Sequence, residues 1–200
     1  EYAKQVAEFG KPVLFRLNNE MNGDWVYYST YHNSKDPELY VKTWQYVHSF
    51  FEDAGADNVL WVWNPNHHSK PNFKWNHTLA YYPGSEYIDI VGLTAYNTGI
   101  YHEGEEWTDF ETLYDEIYYQ YDKWFDHPFM ITEFSSSSIG GDKVKWINDM
   151  FKVINKYGRV KIALLWSWQD LDAEGNPARI YFVDENEDTV EAFRKGLENY

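Results

Sequence analysis

Short apolar runs alternate with longer stretches of helical periodicity from one end of the chain to the other, and this alternation restricts the fold more than any other feature. A strand that returns through a helix must lie parallel to its predecessor, so the pattern predicts βα units around a parallel sheet, an α/β class. The apolar runs place strands at residues 12–17, 58–63, 88–93, 129–132 and 162–166. Residues 2–9 read as the end of a helix stopped by Gly10. A second helix opens at Asp36-Pro37-Glu38, an N-cap followed by proline in the first turn. Leu39, Tyr40, Val41, Trp44, Val47, Phe50 and Phe51 form its apolar stripe, and Gly55 stops it. Further helices are expected over 110–125, 143–157 and 189–197, with a long polar loop between the second and third strands and a polar loop at Ser135 to Ser138.

The count is five strands, whereas a closed parallel barrel needs eight and typically about 250 residues. The expectation is therefore a single domain over 1–200 that forms part of a (β/α)8 TIM barrel. Five parallel strands leave two apolar edges, which invite strand addition. The missing strands are thus expected upstream, or the edges under another chain, with a monomer expected if the barrel is complete.

Composition narrows the partners. A formal charge of -15 disfavours nucleic acid, because neutralising phosphates takes clustered Lys and Arg. No run of about eighteen apolar residues is present, so no membrane span is predicted. With no Cys, disulfides, thiolate metal sites and a Cys nucleophile are excluded together, and no phosphate cradle, serine elbow or zinc signature suggests a cofactor or metal. Ten Trp and eighteen Tyr are unusual, and flat amphipathic rings suit the apolar C–H faces of sugars as well as a core. A neutral carbohydrate is the partner these features favour.

Two of the apolar runs lead into glutamates. Pro12-Val13-Leu14-Phe15 delivers Asn19-Glu20 into a loop bearing Gly23 and Trp25, and Phe129-Met130-Ile131-Thr132 leads into Glu133. Paired carboxylates at strand ends are the minimum equipment for glycosidic bond cleavage, one protonating the leaving oxygen and the other attacking the sugar carbon. They stand 133 − 20 = 113 positions apart, too far for one helix face, so only a closing sheet brings them to the roughly 5 to 5.5 Å that retention of configuration needs. Arg16, four residues before Glu20 and on the same strand face by the period of two, expects a carboxylate partner. Trp25 would supply an apolar wall beside Glu20.

These motifs resemble glycoside hydrolase family 26, the β-mannanase family of the large retaining (β/α)8-barrel clan. The likeness runs through Arg16, Glu20-Met21-Asn22-Gly23-Asp24-Trp25, Trp61-Val62-Trp63-Asn64-Pro65-Asn66, Gly92 to Asn97 and Ile131-Thr132-Glu133-Phe134. It implies that the chain is the C-terminal part of the catalytic domain, strands 4 to 8, with Glu20 as acid/base and Glu133 as nucleophile. It further implies that Arg16 pairs with Glu133, that Tyr96 hydrogen-bonds Glu133, and that Trp166, with Trp168 as competitor, stacks on the sugar. One departure is Asn19, where family 26 mannanases usually place His. Asparagine is common there in the wider clan, where its amide meets the sugar 2-hydroxyl, so the chemistry survives while the inference to mannan weakens.

The resulting expectation is a secreted or cell-surface, retaining, endo-acting β-glycanase on a β-linked polysaccharide or oligosaccharide, first β-1,4-mannan, then β-glucan or xylan. The rivals are a non-catalytic carbohydrate-binding pseudoenzyme and an inactive fragment. His67 and His68 are adjacent and make a poor metal pair, His32, His77 and His102 fall in polar loops, and the run Glu103 to Glu106 reads as a solvated loop.

Overall fold

The computed structural model describes residues 1–199. Five strands, β1 (Val13–Phe15), β2 (Val59–Trp63), β3 (Ile90–Asn97), β4 (Phe129–Ser136) and β5 (Val160–Leu165), form one sheet in chain order, so β1 and β5 are its edges. Val13 pairs with Val59 and Val62 with Ile90 in parallel register. A short antiparallel hairpin, β6 (Gln169–Leu171) and β7 (Pro177–Ile180), follows β5. The helices are α1 (Tyr2–Phe9), α2 (Pro37–Asp53), α3 (Phe110–Trp124), α4 (Lys143–Val153) and α5 (Glu187–Leu197). This is the α/β alternation expected from the apolar runs, with five strands among the described residues where eight close a barrel, four of them followed by an α-helix and β2 by 3-10 turns.

Residue contacts divide the chain into two compact units, Glu1–Thr94 with His127–Met130, and Ala95–Asp126 with Ile131–Tyr200. In the first unit α2 begins as predicted, with Asp36 accepting from the Glu38 N–H at 3.0 Å and Pro37 in the first turn. Its buried face is Tyr40, Trp44, His48 and Phe51, a narrower i, i+4 stripe than expected, for Leu39 and Phe50 stay about half exposed. Trp61 of β2 lies edge-on to Phe15 at 5.0 Å and Phe51 at 5.1 Å, and Trp44 packs against Trp61 at 5.7 Å. Part of the aromatic excess is thus core. The long polar loop holds three 3-10 turns, Lys74–Asn76, Thr78–Tyr81 and Ser85–Tyr87, and the last two of these lead into β3.

In the second unit α3, α4 and α5 are each capped by an acidic or amide side chain, Asp109, Asp142 and Asn186, accepting an N–H of the first turn. α4 is shorter than predicted and its end tightens into a 3-10 turn, Ile154–Lys156. Phe110 stacks on Tyr114 at 4.4 Å and meets Trp146 edge-on at 5.5 Å. α5 lies close on α4, because Gly196 leaves the room that the Phe151 ring occupies; a Cβ there would fall 2.1 Å from the ring. Ser135 and Ser136 are strand, not loop, and the β6–β7 hairpin has no counterpart in the sequence prediction. Among the described residues no helix is long and apolar enough to cross a membrane.

Candidate active site

The residues singled out from the sequence fall into two groups, one in each unit. In the first, β1 ends at Phe15, two residues earlier than expected, and the chain turns through Asn18 and Glu20 with φ of +46° and +55°. Left-handed backbone at a non-glycine residue costs roughly 1–2 kcal/mol, so neighbouring contacts must hold it. The Glu20 N–H donates to the Asn64 main-chain oxygen at 2.7 Å, and the Glu20 oxygen accepts from Gly23 N at 2.9 Å. Glu20 therefore stands in a turn beyond the strand, and the period-of-two argument that put Arg16 on its face does not reach it.

Asn64, fully buried just after β2, is the hub. Its Oδ1 accepts from Arg16 Nη1 at 3.2 Å and its Nδ2 donates to Thr94 Oγ1 at 3.0 Å, while its carbonyl fixes Glu20. One residue thus holds both the Arg16 side chain and the Glu20 backbone. Asn22, also fully buried, ties the same turn to the following loop: its Nδ2 donates to Asn66 O at 2.9 Å and Ser69 Oγ at 3.1 Å, and its Oδ1 accepts from Asn66 N at 2.7 Å. The sequence alone assigns neither asparagine a role, although both lie in the motifs that carry the resemblance.

Trp25 does not wall off Glu20. Its indole N–H donates to Glu20 Oε2 at 3.0 Å, and its ring is 47% exposed, so it is a hydrogen-bond partner with a face open to solvent. A Cβ on Gly23 would meet that ring at 2.5 Å, which is why glycine stands there. Asn19 is held by Tyr28, whose hydroxyl donates to the Asn19 carbonyl at 2.7 Å and lies 3.2 Å from its Oδ1.

In the second unit Glu133 is the fifth residue of β4, not its end. The Tyr96 hydroxyl, from β3, donates to Glu133 Oε2 at 2.6 Å. Below them the buried Tyr114 of α3 donates to Ala95 O at 3.2 Å and lies 3.3 Å from Glu133 O. Burial pushes the Tyr114 phenol pKa far up, so this group stays a neutral donor. Tyr181, just past β7, packs against Tyr96 with centroids 5.2 Å apart. Trp166 follows β5 directly, and its N–H donates to Phe134 O at 2.9 Å, one residue past Glu133. Its ring is 42% exposed; Trp168 is 60% exposed and lies near Phe182.

Glu105 is not part of a solvated loop. Arg179 donates through Nε to Glu105 Oε1 at 2.7 Å and through Nη1 to Asp170 Oδ2 at 2.8 Å, tying the segment after β3 to the β6–β7 hairpin. His32 meets the Asp24 carbonyl at 2.7 Å, and His77 Nδ1 accepts from Leu79 N at 3.2 Å.

Taken chemically, each group presents one carboxyl group with its Oε2 gripped by an aromatic donor, an indole in one and a phenol in the other. Such a grip fixes the carboxyl plane, which is what a group that must attack or protonate a defined atom requires.

The family model for glycosyl hydrolase family 26 matches residues 1–120. The chain is 32% identical over 165 residues to a mannan endo-1,4-beta-mannosidase of Bacillus subtilis, covering 79% of this chain and 40% of that protein. It is 26% identical over 198 residues to endoglucanase H of Acetivibrio thermocellus, covering 98% of this chain and 21% of that protein. A GH26 beta-mannanase structure from Bacteroides ovatus superposes with a TM-score of 0.68 at 21% identity, covering 98% of this chain and 55% of that one, a likeness of fold. The chain thus spans about a fifth to two fifths of these curated relatives and about half of the solved structure. Its five parallel strands are part of a TIM barrel. With the model matching 120 of the 200 residues, through the Glu20 motif and into α3, this chain belongs to glycosyl hydrolase family 26.

Proposed function

We propose that the chain carries the two carboxyl groups of a retaining endo-acting β-glycanase whose substrate is β-1,4-mannan. The observation that carries this reading is the 2.6 Å hydrogen bond from Tyr96 to Glu133, which holds one carboxylate oxygen in a fixed orientation on a barrel strand. Glu133 attacks the anomeric carbon as the bond to the leaving oxygen breaks, and Glu20 gives its proton to that oxygen. Water then enters, Glu20 takes one of its protons, and the oxygen displaces Glu133, so that two inversions give net retention. Trp25 and Tyr96 keep the two carboxyl groups oriented, and the Trp166 face offers a stacking surface for a sugar ring. The mannosidase relative supports mannan.

A second substrate, β-glucan, is favoured by two features. Asn19 stands where mannanases of the family usually carry His, and a relative that aligns with 98% of the chain is named an endoglucanase. A polymeric substrate puts the protein outside the cell or at its surface.

Reducing-sugar release from mannan, β-glucan and xylan separates these substrates. Hydrolysis of none of them, with binding of any, makes the chain a carbohydrate-binding module. Glu133→Ala is expected to abolish hydrolysis with the fold intact, whereas Glu20→Ala slows poor leaving groups far more than activated aryl glycosides. Equal losses on both leaving-group classes defeat the acid/base assignment.

A further inference from the structure

The hairpin after β5 is bound to the chain on both sides of Glu133 by contacts that a solvated ornament does not need. Its second strand, β7, ends at Ile180, and the main chain there is stitched to the end of β4: Ser138 N donates to Ile180 O at 3.1 Å, Ile180 N to Ser137 Oγ at 3.3 Å, and Ser135 Oγ to Tyr181 O at 3.2 Å. The serines that read as a polar loop are the fasteners. One residue earlier on β7, Arg179 adds a pair of charge-assisted contacts to Glu105 and Asp170, and Glu105 in turn accepts from His102 N at 3.0 Å. Directly after these anchors comes Tyr181, buried, with its ring against Tyr96, the phenol that grips Glu133. Tyr96 itself is only half-buried, so its rotamer is set by what packs beside it.

We propose that the β6–β7 hairpin is a positioning device for the Glu133 carboxylate, in which Tyr181 is a positioning residue acting through the Tyr96 ring and Arg179 is the clamp that keeps Tyr181 in place. The proposal rests on the reading of Glu133 as nucleophile for its catalytic consequence, but its structural core, the dependence of the Tyr96–Glu133 bond on Tyr181, stands apart from it. Only the Tyr181 ring is required, because the contact with Tyr96 is between the two rings, tilted at 44° to each other. Arg179 needs both its charge and its planar fork, since it serves two carboxylates at once.

The test uses the whole chain with glutamate labelled at the side-chain carboxyl carbon, the Glu133 signal being assigned by its loss in Glu133→Gln. At a fixed pH, Tyr96→Phe displaces that signal, and Tyr181→Ala and Arg179→Met displace it in the same direction. Tyr181→Phe leaves it where the wild type has it, and should Tyr181→Ala not fold, Tyr181→Leu and Arg179→Met carry the comparison. On aryl glycosides kcat falls about tenfold or more in Tyr181→Ala with KM within about twofold, and Tyr181→Phe restores it. A Glu133 signal unmoved by Tyr181→Ala, Tyr181→Leu and Arg179→Met overturns the proposal, as does one unmoved by Tyr96→Phe. A wild-type chain that hydrolyses no glycan, while the signal still follows Tyr181, removes the catalytic reading and leaves the positioning relation intact.

Discussion

The Trp25 indole N–H donates to Glu20 Oε2 at 3.0 Å, and the bare Cα of Gly23 is what lets the ring reach there, since a Cβ would fall within 2.5 Å of it. Three residues of one turn are therefore a single device: a left-handed glutamate, a glycine that makes room and a tryptophan that takes hold of the carboxyl group.

Residues that act as a unit lose their function once, not twice. Gly23→Ala and Trp25→Phe are each expected to lower hydrolysis of poor leaving groups by about tenfold, and the double variant by little more than either, the mark of coupling in a double-mutant cycle. Losses that multiply would mean that Gly23 serves something other than the indole.

Asn22 should matter to stability more than its neighbours in sequence suggest. Its side chain fills three hydrogen bonds to Asn66 and Ser69, and its carbonyl accepts from Lys70 N at 2.9 Å and Asn76 Nδ2 at 2.8 Å. Asn22→Ala removes a fully buried side chain and leaves its partly buried partners unpaired, at about 1–3 kcal/mol for a buried group left unsatisfied. Urea unfolding is expected to show a loss of at least about 2 kcal/mol, with faster amide exchange at Asn66. An unchanged midpoint would show that the loop holds its shape without the asparagine.

Much of this architecture is legible in the sequence because its signals are local. Helix starts announce themselves through Asp36-Pro37 and through Asp109, Asp142 and Asn186, side chains that can satisfy first-turn amides. The strand that carries Glu133 is an apolar run long enough to find. What was not legible depends on contacts remote in sequence or on backbone conformation without a residue signature. Nothing in Asn18-Asn19-Glu20 signals a left-handed glutamate, because the conformation is imposed by the carbonyl of Asn64. Trp25 reads equally as wall or donor until its indole nitrogen is located. Glu105 meets Arg179 across 74 positions, and the hairpin strands around them are too short and polar to show a period. The turn between those strands, Asp172-Ala173-Glu174-Gly175-Asn176, did carry a readable signal, for Asp172 caps its own turn and Gly175 takes φ +86°.

Lys143 is buried, 6% exposed, and it donates its three protons to Ile180 O at 3.2 Å, Phe182 O at 2.6 Å and Glu185 Oε2 at 3.1 Å. Lys143→Met keeps the apolar stem and removes the charge, leaving the largely buried Glu185 carboxylate without this partner. The expected cost is about 3 kcal/mol by denaturant unfolding, with the segment 180–185 the first to exchange its amides. A neutral effect would place the stability of that segment in α5 instead.

Acid should weaken the loop after β2 through His67. Burial, followed by the nearby charges of His68 and Lys70, lowers the His67 pKa to about 4, whereas an unfolded histidine titrates near 6.5. Between those two values the unfolded chain takes up a proton that the folded chain refuses. Stability is therefore unaffected by this residue above about pH 6.5, falls as the pH drops toward 4, and is lower by a constant amount below that. The full difference is on the order of 2 to 3 kcal/mol, since the ring is not wholly shielded from water. Urea unfolding at pH 7 and pH 5 is expected to show part of this loss in the wild type and less of it in His67→Gln, which cannot be protonated. The imidazole proton resonance of His67 should titrate near pH 4; an inflection close to 6.5 would show that the folded loop leaves the ring open to solvent.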